Sequence, residues 1–347
     1  MHESSSITSS ARSALRTMRV AAGLTLLAVA GQAWGGGPIV DTRGFEAAAG
    51  YSTTYLPSGG YAGQLKGQQG WVGLGDDTAT IQSGVGPDGS QAVRVTHGAD
   101  DYSYWAVQAS NYPTGQYVHI GWDMLVQQST GAGFGPFFGV EPYDDGLEYL
   151  GRFGVEAVNG GIVYAQGANK AVPGAFEYAT SVVGFNTWNH FDMVLDFDAK
   201  RYQGFLNGNL VVDELFVNTA SDSFTDADIA SLATYFDSES INKPGVSYFD
   251  NFFVNDGILG DFDEDADVDG SDLATWQTAY GAGAGADATG DSQSAGGDFL
   301  IWQQQLGVDL SVPAPVGAVP EPATWALAAT MALVVSGRRR WRARWAN

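Results

Sequence analysis

The 347-residue chain predicts a mainly β protein: an antiparallel two-sheet sandwich of jelly-roll type, then a small helical module, then a short C-terminal apolar helix. Three observations predict this. Apolar and polar residues alternate with period 2 through much of residues 37–256, the mark of half-buried strands. Turn signals rich in glycine separate those runs, and the 47 glycines carry no collagen-like G-X-Y period. Residues 257–307 break the alternation with an acidic loop and an apolar helix pattern, each present twice.

Taken in order, residues 1–33 predict an export signal. Arg12, Arg16 and Arg19 precede an apolar run from Val20 to Ala30, with small residues at Ala28, Ala30 and Ala33 where a peptidase could cut. In the 37–256 domain, Val118, Ile120, Trp122, Met124 and Val126 share one strand face, and Tyr117, His119, Gly121 and Asp123 the other. Phe191, Met193, Leu195 and Phe197 repeat the pattern against Asp192, Asp196 and Asp198. Asn159-Gly160 and Asn207-Gly208 are hairpin signals, because both residue types tolerate the positive φ of tight turns. Only Thr225 to Phe236 reads as a helix, with Thr225 as cap and Ile229, Leu232 and Phe236 on one face. Residues 308–318 read as an extended spacer stiffened by Pro313 and Pro315.

Composition narrows the function. The chain has no cysteine, which removes disulfide scaffolding, thiol catalysis and thiolate metal sites. A net charge of −23 argues against nucleic acid, whose phosphates would be repelled. Half of the 16 basic residues lie in the two ends, so the domains between them are more acidic still.

The module at 257–307 carries the sharpest pattern. A period of 26 pairs Asp261 with Asp287, Asp265 with Asp291, Asp272 with Asp298 and Trp276 with Trp302. Calcium takes about six to eight oxygen ligands. Counting Asp261 as position 1 of a calcium loop places Asp263, Asp265, Asp267, Asp269 and Asp272 at positions 3, 5, 7, 9 and 12. A register starting at Asp265 would put Trp276 at position 12, where it cannot ligate. The second loop is poorer, with Asp287, Thr289, Asp291, Gln293 and Asp298 as its potential ligands, and should bind more weakly. This loop–helix pair resembles a type I dockerin, which implies a calcium-dependent protein-binding module. Its usual cohesin partner is disfavoured, because Gly270-Ser271 and Gly296-Gly297 stand where dockerins that bind cohesins carry a Ser-Thr-like pair.

Two further resemblances bear on function. Pro320-Glu321-Pro322, the apolar run from Ala323 to Val335 and the cluster from Arg338 to Arg344 resemble the PEP-CTERM sorting tail, covering 319–347. That implies an exosortase-type partner and a membrane stage, with the arginines on the cytoplasmic side. The phrases Phe45-Glu46, Ser90 to Val95, Trp188 to Phe191, Phe205 to Gly208 and Tyr248 to Phe252 resemble concanavalin A-like, laminin-G-like jelly rolls. Such domains bind glycans or matrix proteins, and several are hydrolases or lyases. In relatives, carboxylates placed like Glu46 and Asp250 hold a structural calcium; surface or capping roles are the alternative.

No catalytic motif is recognisable. There is no Glu-x-Asp-x-x-Glu strand, no nucleophile elbow and no H-E-x-x-H. His119 and Asp123 share a strand face, with His190 a possible third member, yet residues i and i+4 on a strand lie ~13 Å apart. Trp71, Tyr104 and Trp105 fall in Gly/Asp-rich stretches read as loop-containing and could stack on sugars. The expectation is an exported, non-catalytic, calcium-stabilised surface or matrix protein. A carbohydrate-active enzyme and a purely structural envelope component are the alternatives.

Overall fold

The computed structural model describes residues 38–98, 101–108, 116–234, 241–263, 267–283, 285–289 and 293–308. The export signal, the spacer from 309, the sorting motif Pro320-Glu321-Pro322 and the ligand positions Asp265 and Asp291 lie outside them. No helix among the described residues is long and apolar enough to cross a membrane.

Two antiparallel sheets face each other. In spatial order the first runs β13 (Asn209–Leu215), β12 (Arg201–Leu206), β11 (Asn189–Asp196), β6 (Tyr117–Gln127), β15 (Gly245–Asp256), β4 (Gln91–His97) and β3 (Thr78–Ser83), and β1 (Pro38–Asp41) pairs with β15. The second runs β10 (Phe176–Val182), β9 (Gly161–Ala165), β8 (Phe153–Glu156), β7 (Pro136–Tyr143), β14 (Asp226–Ala233), β5 (Tyr102–Gln108) and β2 (Val72–Leu74). The sandwich predicted from alternation is therefore present.

The predicted inward faces make the core. Trp122 is fully buried and stacks on Phe191 at 5.5 Å, with Phe153 edge-on to both. Each such ring stabilises the fold by about 1.5–3 kcal/mol through burial. The Asn207-Gly208 turn has φ of 50° and 75°, the paired positive values of a type I′ hairpin, and joins β12 to β13.

The predicted helix at 225–236 is wrong over its described part: Asp226–Ala233 is the strand β14, central in the second sheet and buried on both faces. A strand covered on both sides has no simple alternation. Ile229 and Leu232, read as one helical stripe, point to opposite faces, since Ile229 joins the main core and Leu232 a separate cluster.

After β15 the chain enters two helices, α1 (Gly270–Ala279) and α2 (Gly296–Gln305). Their repeat is closed by reciprocal bonds. Trp276 donates its indole N–H to the Ala295 carbonyl at 2.9 Å, and Trp302 donates to Asp269 at 2.8 Å. Each tryptophan thus anchors the start of the other helix, with Phe299 ringed between them at 5.0 and 5.6 Å. Leu306, just after α2, is exposed.

Candidate functional site

The first acidic loop folds around Asp272. This fully buried carboxylate caps α1 from its third position, accepting the Asp269 N–H at 2.7 Å through Oδ2. Its Oδ1 accepts from the Phe262 and Asp263 N–H groups at 2.6 and 3.2 Å. Oxygens of Asp261, Asp263 and Asp272 lie within 4.8 Å of one another, and so do those of Asp267, Asp269 and Asp272. The two groups share Asp272 and between them hold five of the six predicted ligand residues, and the sixth, Asp265, is outside the described residues. An all-oxygen, carboxylate-rich set fits a hard cation such as calcium rather than a soft one.

The second loop keeps the scaffold and loses the acid. Asp298 accepts from Thr289 N–H at 2.9 Å and Ala295 N–H at 2.6 Å, as Asp272 does one repeat earlier. Thr289 donates its hydroxyl to Asp287, and Gln293 is exposed.

Glu46 and Asp250 also approach each other. Asp250 accepts from Ser90 Oγ and from its neighbour's N–H, and Glu46 accepts from Gln91 N–H at 2.7 Å. Burial, reinforced by the negative charges of Asp123 and Glu46, pushes the Asp250 carboxyl up to about 7. Gly44, at φ 67°, passes the chain so close that a Cβ there would sit 3.2 Å from Asp250 Oδ1. A buried carboxyl in a field of other acids fits a cation better than it fits water.

The polar strand face on which the sequence places His119 and Asp123 is not open to solvent throughout: His119 is fully buried, because the chain entering the helical module covers that part of the first sheet's outer face. His119 Nδ1 accepts the Leu259 N–H at 3.2 Å, which leaves Nε2 to donate to Asp192 Oδ1 at 2.9 Å. Asp192 also takes His190 Nε2 at 3.1 Å, and His190 Nδ1 donates to Asp123 at 2.7 Å. The two residues judged too far apart to touch are thus joined through the neighbouring strand β11, and Asn251 closes the chain on Asp123 at 2.7 Å. Burial opposes a charge on His190, but Asp192 and Asp123 outweigh it and raise its pKa to about 10.

Trp71 and Trp105 are corrected as well. Trp71 is 1% exposed and donates to the Tyr51 hydroxyl, and Trp105 lies on β5 facing the core, so neither offers a ring to a ligand. Gly-rich sequence around them signalled loops, but the rings fill the sandwich edge. Tyr104, half-buried, does point outward from the second sheet.

Beside Tyr104, that outer face holds residues absent from the candidate set: Tyr102, Phe176 and Tyr178, with Tyr104, border a small cluster around Phe137. Glu141 on β7 stands directly opposite Asp228 on β14, which brings two buried carboxylates side by side. Both Glu141 oxygens are engaged: Arg152 Nε donates to Oε1 at 2.5 Å and the Tyr143 hydroxyl to Oε2 at 2.6 Å. Arg152 lies over the Phe176 ring at 4.1 Å. Only strand register could have revealed this pair, since its members are 87 positions apart in the sequence.

A buried Ser231–His97–Asp77 cluster is not a catalytic triad. Ser231 Oγ and Asp77 Oδ2 both lie 2.9 Å from the same ring nitrogen, Nδ1, so the imidazole cannot relay a proton between them.

No protein-family model and no curated protein matches the chain. Among solved structures it is similar to one titled "Sialidase", at 12% identity and a TM-score of 0.40, over 60% of this chain and 19% of that one. The protein described here therefore spans about a fifth of that sialidase's length. It is also similar to "Cellulose induced protein, Cip1" (15% identity, TM-score 0.39, 53% and 90% covered). A third is "Alginate lyase AlgAT5 from Polysaccharide Lyase family 7" (12%, 0.36, 50% and 81%). Likeness at this level carries no argument about this chain.

Proposed function

We propose that the chain is an exported, non-catalytic binding protein of the cell envelope, with a helical module that takes up calcium through its first loop. The observation that carries this reading is the convergence of Asp261, Asp263, Asp267 and Asp269 on Asp272. Calcium would neutralise the loop and stiffen the module; a second ion between Glu46 and Asp250 would tie β15 to the start of the domain. The outer face of the second sheet, with Tyr102, Tyr104 and Tyr178, is the surface for a glycan or matrix protein. The C-terminal tail would present the protein to an exosortase-type enzyme and hold it at the membrane during sorting. A cohesin-like partner is disfavoured by Gly270-Ser271 and Gly296-Gly297.

A second reading, a glycoside hydrolase or polysaccharide lyase, is favoured by one observation: the juxtaposed carboxylates of Glu141 and Asp228. Against it, a catalytic acid must hand its proton to a substrate, and both Glu141 oxygens are engaged by Arg152 and Tyr143. Incubation with acidic and neutral polysaccharides, followed by reducing-end and unsaturated-product assays, separates the readings. The proposal expects retention on one polysaccharide in affinity electrophoresis with no new chain ends. Turnover that disappears in Asp228→Asn would replace it with the enzyme.

A further inference from the structure

The chain leaves the sandwich for the helical module through Gly257, Ile258 and Leu259. Two backbone N–H groups tie this junction to β6. Gly257 N–H donates to the Tyr117 carbonyl at 3.0 Å, and Leu259 N–H donates to His119 Nδ1 at 3.2 Å. The second bond lies two residues before Asp261, where the first acidic loop begins. Ile258, Leu259 and His119 are all buried.

An imidazole nitrogen accepts a hydrogen bond only while it carries no proton. Nε2 of His119 is committed as the donor to Asp192, so a second proton on the ring would go to Nδ1. It would then set two buried N–H groups against each other, and the Leu259 bond would be lost.

Few charged groups surround the ring. From β11, Asp192 turns its Oδ1 to both His119 and His190, and its buried Oδ2 has no hydrogen-bond partner among the described residues. From β15 come Phe253, edge-on at 5.1 Å, and Asn255, directly opposite; both are uncharged. Along β6 itself stand Tyr117 and Asp123, and Asp123 is held by His190 and Asn251. Near β1, Asp41 and Arg43 pair with each other. A cleft of about 430 Å³ beside Leu259 adds Ala288, Thr289, Ile301, Gln304 and Gln305 of the second loop–helix unit, none of them charged. A protonated His119 would therefore keep Asp192 as counter-ion on one side and lose its backbone partner on the other.

We propose that His119 is a proton-sensitive latch on the helical module: in acid a proton from water binds Nδ1, the Leu259 N–H bond breaks, and the chain between β15 and the first acidic loop loosens from the first sheet. Imidazole is the side chain that ordinarily changes charge between about pH 5 and 8, where ordinary aspartates stay ionised.

Hydrogen exchange of the Leu259 amide tests this, read by NMR on the whole chain with calcium held saturating. Protection is compared at about pH 8 and about pH 5, corrected for the intrinsic exchange rate. It should fall at least tenfold in the parent. In His119→Asn, whose amide oxygen stands near the place of Nδ1 and does not titrate, it should fall less than threefold. His119→Phe, with no acceptor, should show the low protection at both pH values. Asp250, with a carboxyl pushed up to about 7, is intact in both variants, so a pH dependence that came from it would persist in them. In the parent, the ring ¹⁵N shifts of His119 should report Nδ1 bare at the higher pH and protonated at the lower. Protection that does not change with pH in the parent overturns the proposal. So does an equal fall in His119→Asn, full protection in His119→Phe, or a fall in the parent during which Nδ1 stays bare. That last comparison needs no variant, so it decides the matter even if both variants fail to fold.

Discussion

In the first half of the helical module Asp272 gathers the N–H groups of Phe262, Asp263 and Asp269; in the second, Asp298 gathers those of Thr289 and Ala295. Trp276 and Trp302 then exchange indole bonds across the pair. The backbone scaffold is the same although the acids are not. Folding of the module rests on the capping carboxylates and the tryptophans, and the proposed ion binding would rest on the extra aspartates of the first loop. Position also differs. Thr289 stands where Asp263 stands one repeat earlier, and Thr289 faces the cleft lined by Asp41 and Asp123. Another carboxylate there would lose hydration at a partly buried surface whose acids are already paired, so the acid-poor loop is the one able to lie against the sandwich.

The largest effect should come from the shared scaffold. Trp302→Ala removes a buried ring and its bond, and should cost about 3 kcal/mol or more in urea denaturation. Trp276→Ala, at the less buried equivalent position, should cost less. Equal losses would mean that the halves are mechanically identical.

Next in size is the chemistry that separates the loops. Asp261→Asn with Asp263→Asn should weaken calcium binding at least tenfold, while Thr289→Ala should change it less than threefold, both read by calorimetry. Thr289→Asp sharpens the contrast: thermal stability should fall in chelator, and calcium should restore part of it.

A smaller effect should appear with pH. His190 has a folded pKa of about 10, above its ordinary value of 6.5. Its contribution to stability is therefore complete below pH ~6.5 and is lost as pH rises toward 10. The melting temperature should decline across that window, and decline less in His190→Gln. The smallest expected change is on the second sheet, where Tyr104→Ala should weaken polysaccharide retention without altering calcium binding.

Much of the sandwich was legible because β6 and β11 alternate cleanly, with Trp122 and Phe191 inside and Asp123 and Asp192 outside. β14 was not, because a strand buried on both faces loses the alternation that marks strands, and Thr225 and Asp226 mimic a helix start. The acidic loop was legible from spacing alone, since its carboxylates are sequence neighbours. The His119–Asp192–His190–Asp123 chain was only half legible: its members were seen, but strand pairing joins them and the module buries them. The Glu141–Asp228 pair depends wholly on register between strands far apart in the chain, and the cleft at Gln305 depends on how the module packs.

The most direct test of the central claim is a calcium titration of the chain by calorimetry beside the Asp261→Asn, Asp263→Asn double variant. The account predicts one stronger site in the parent, absent from the double variant, with the rest of the fold unchanged by circular dichroism. No heat at millimolar calcium, or a site that survives in the double variant, would contradict it.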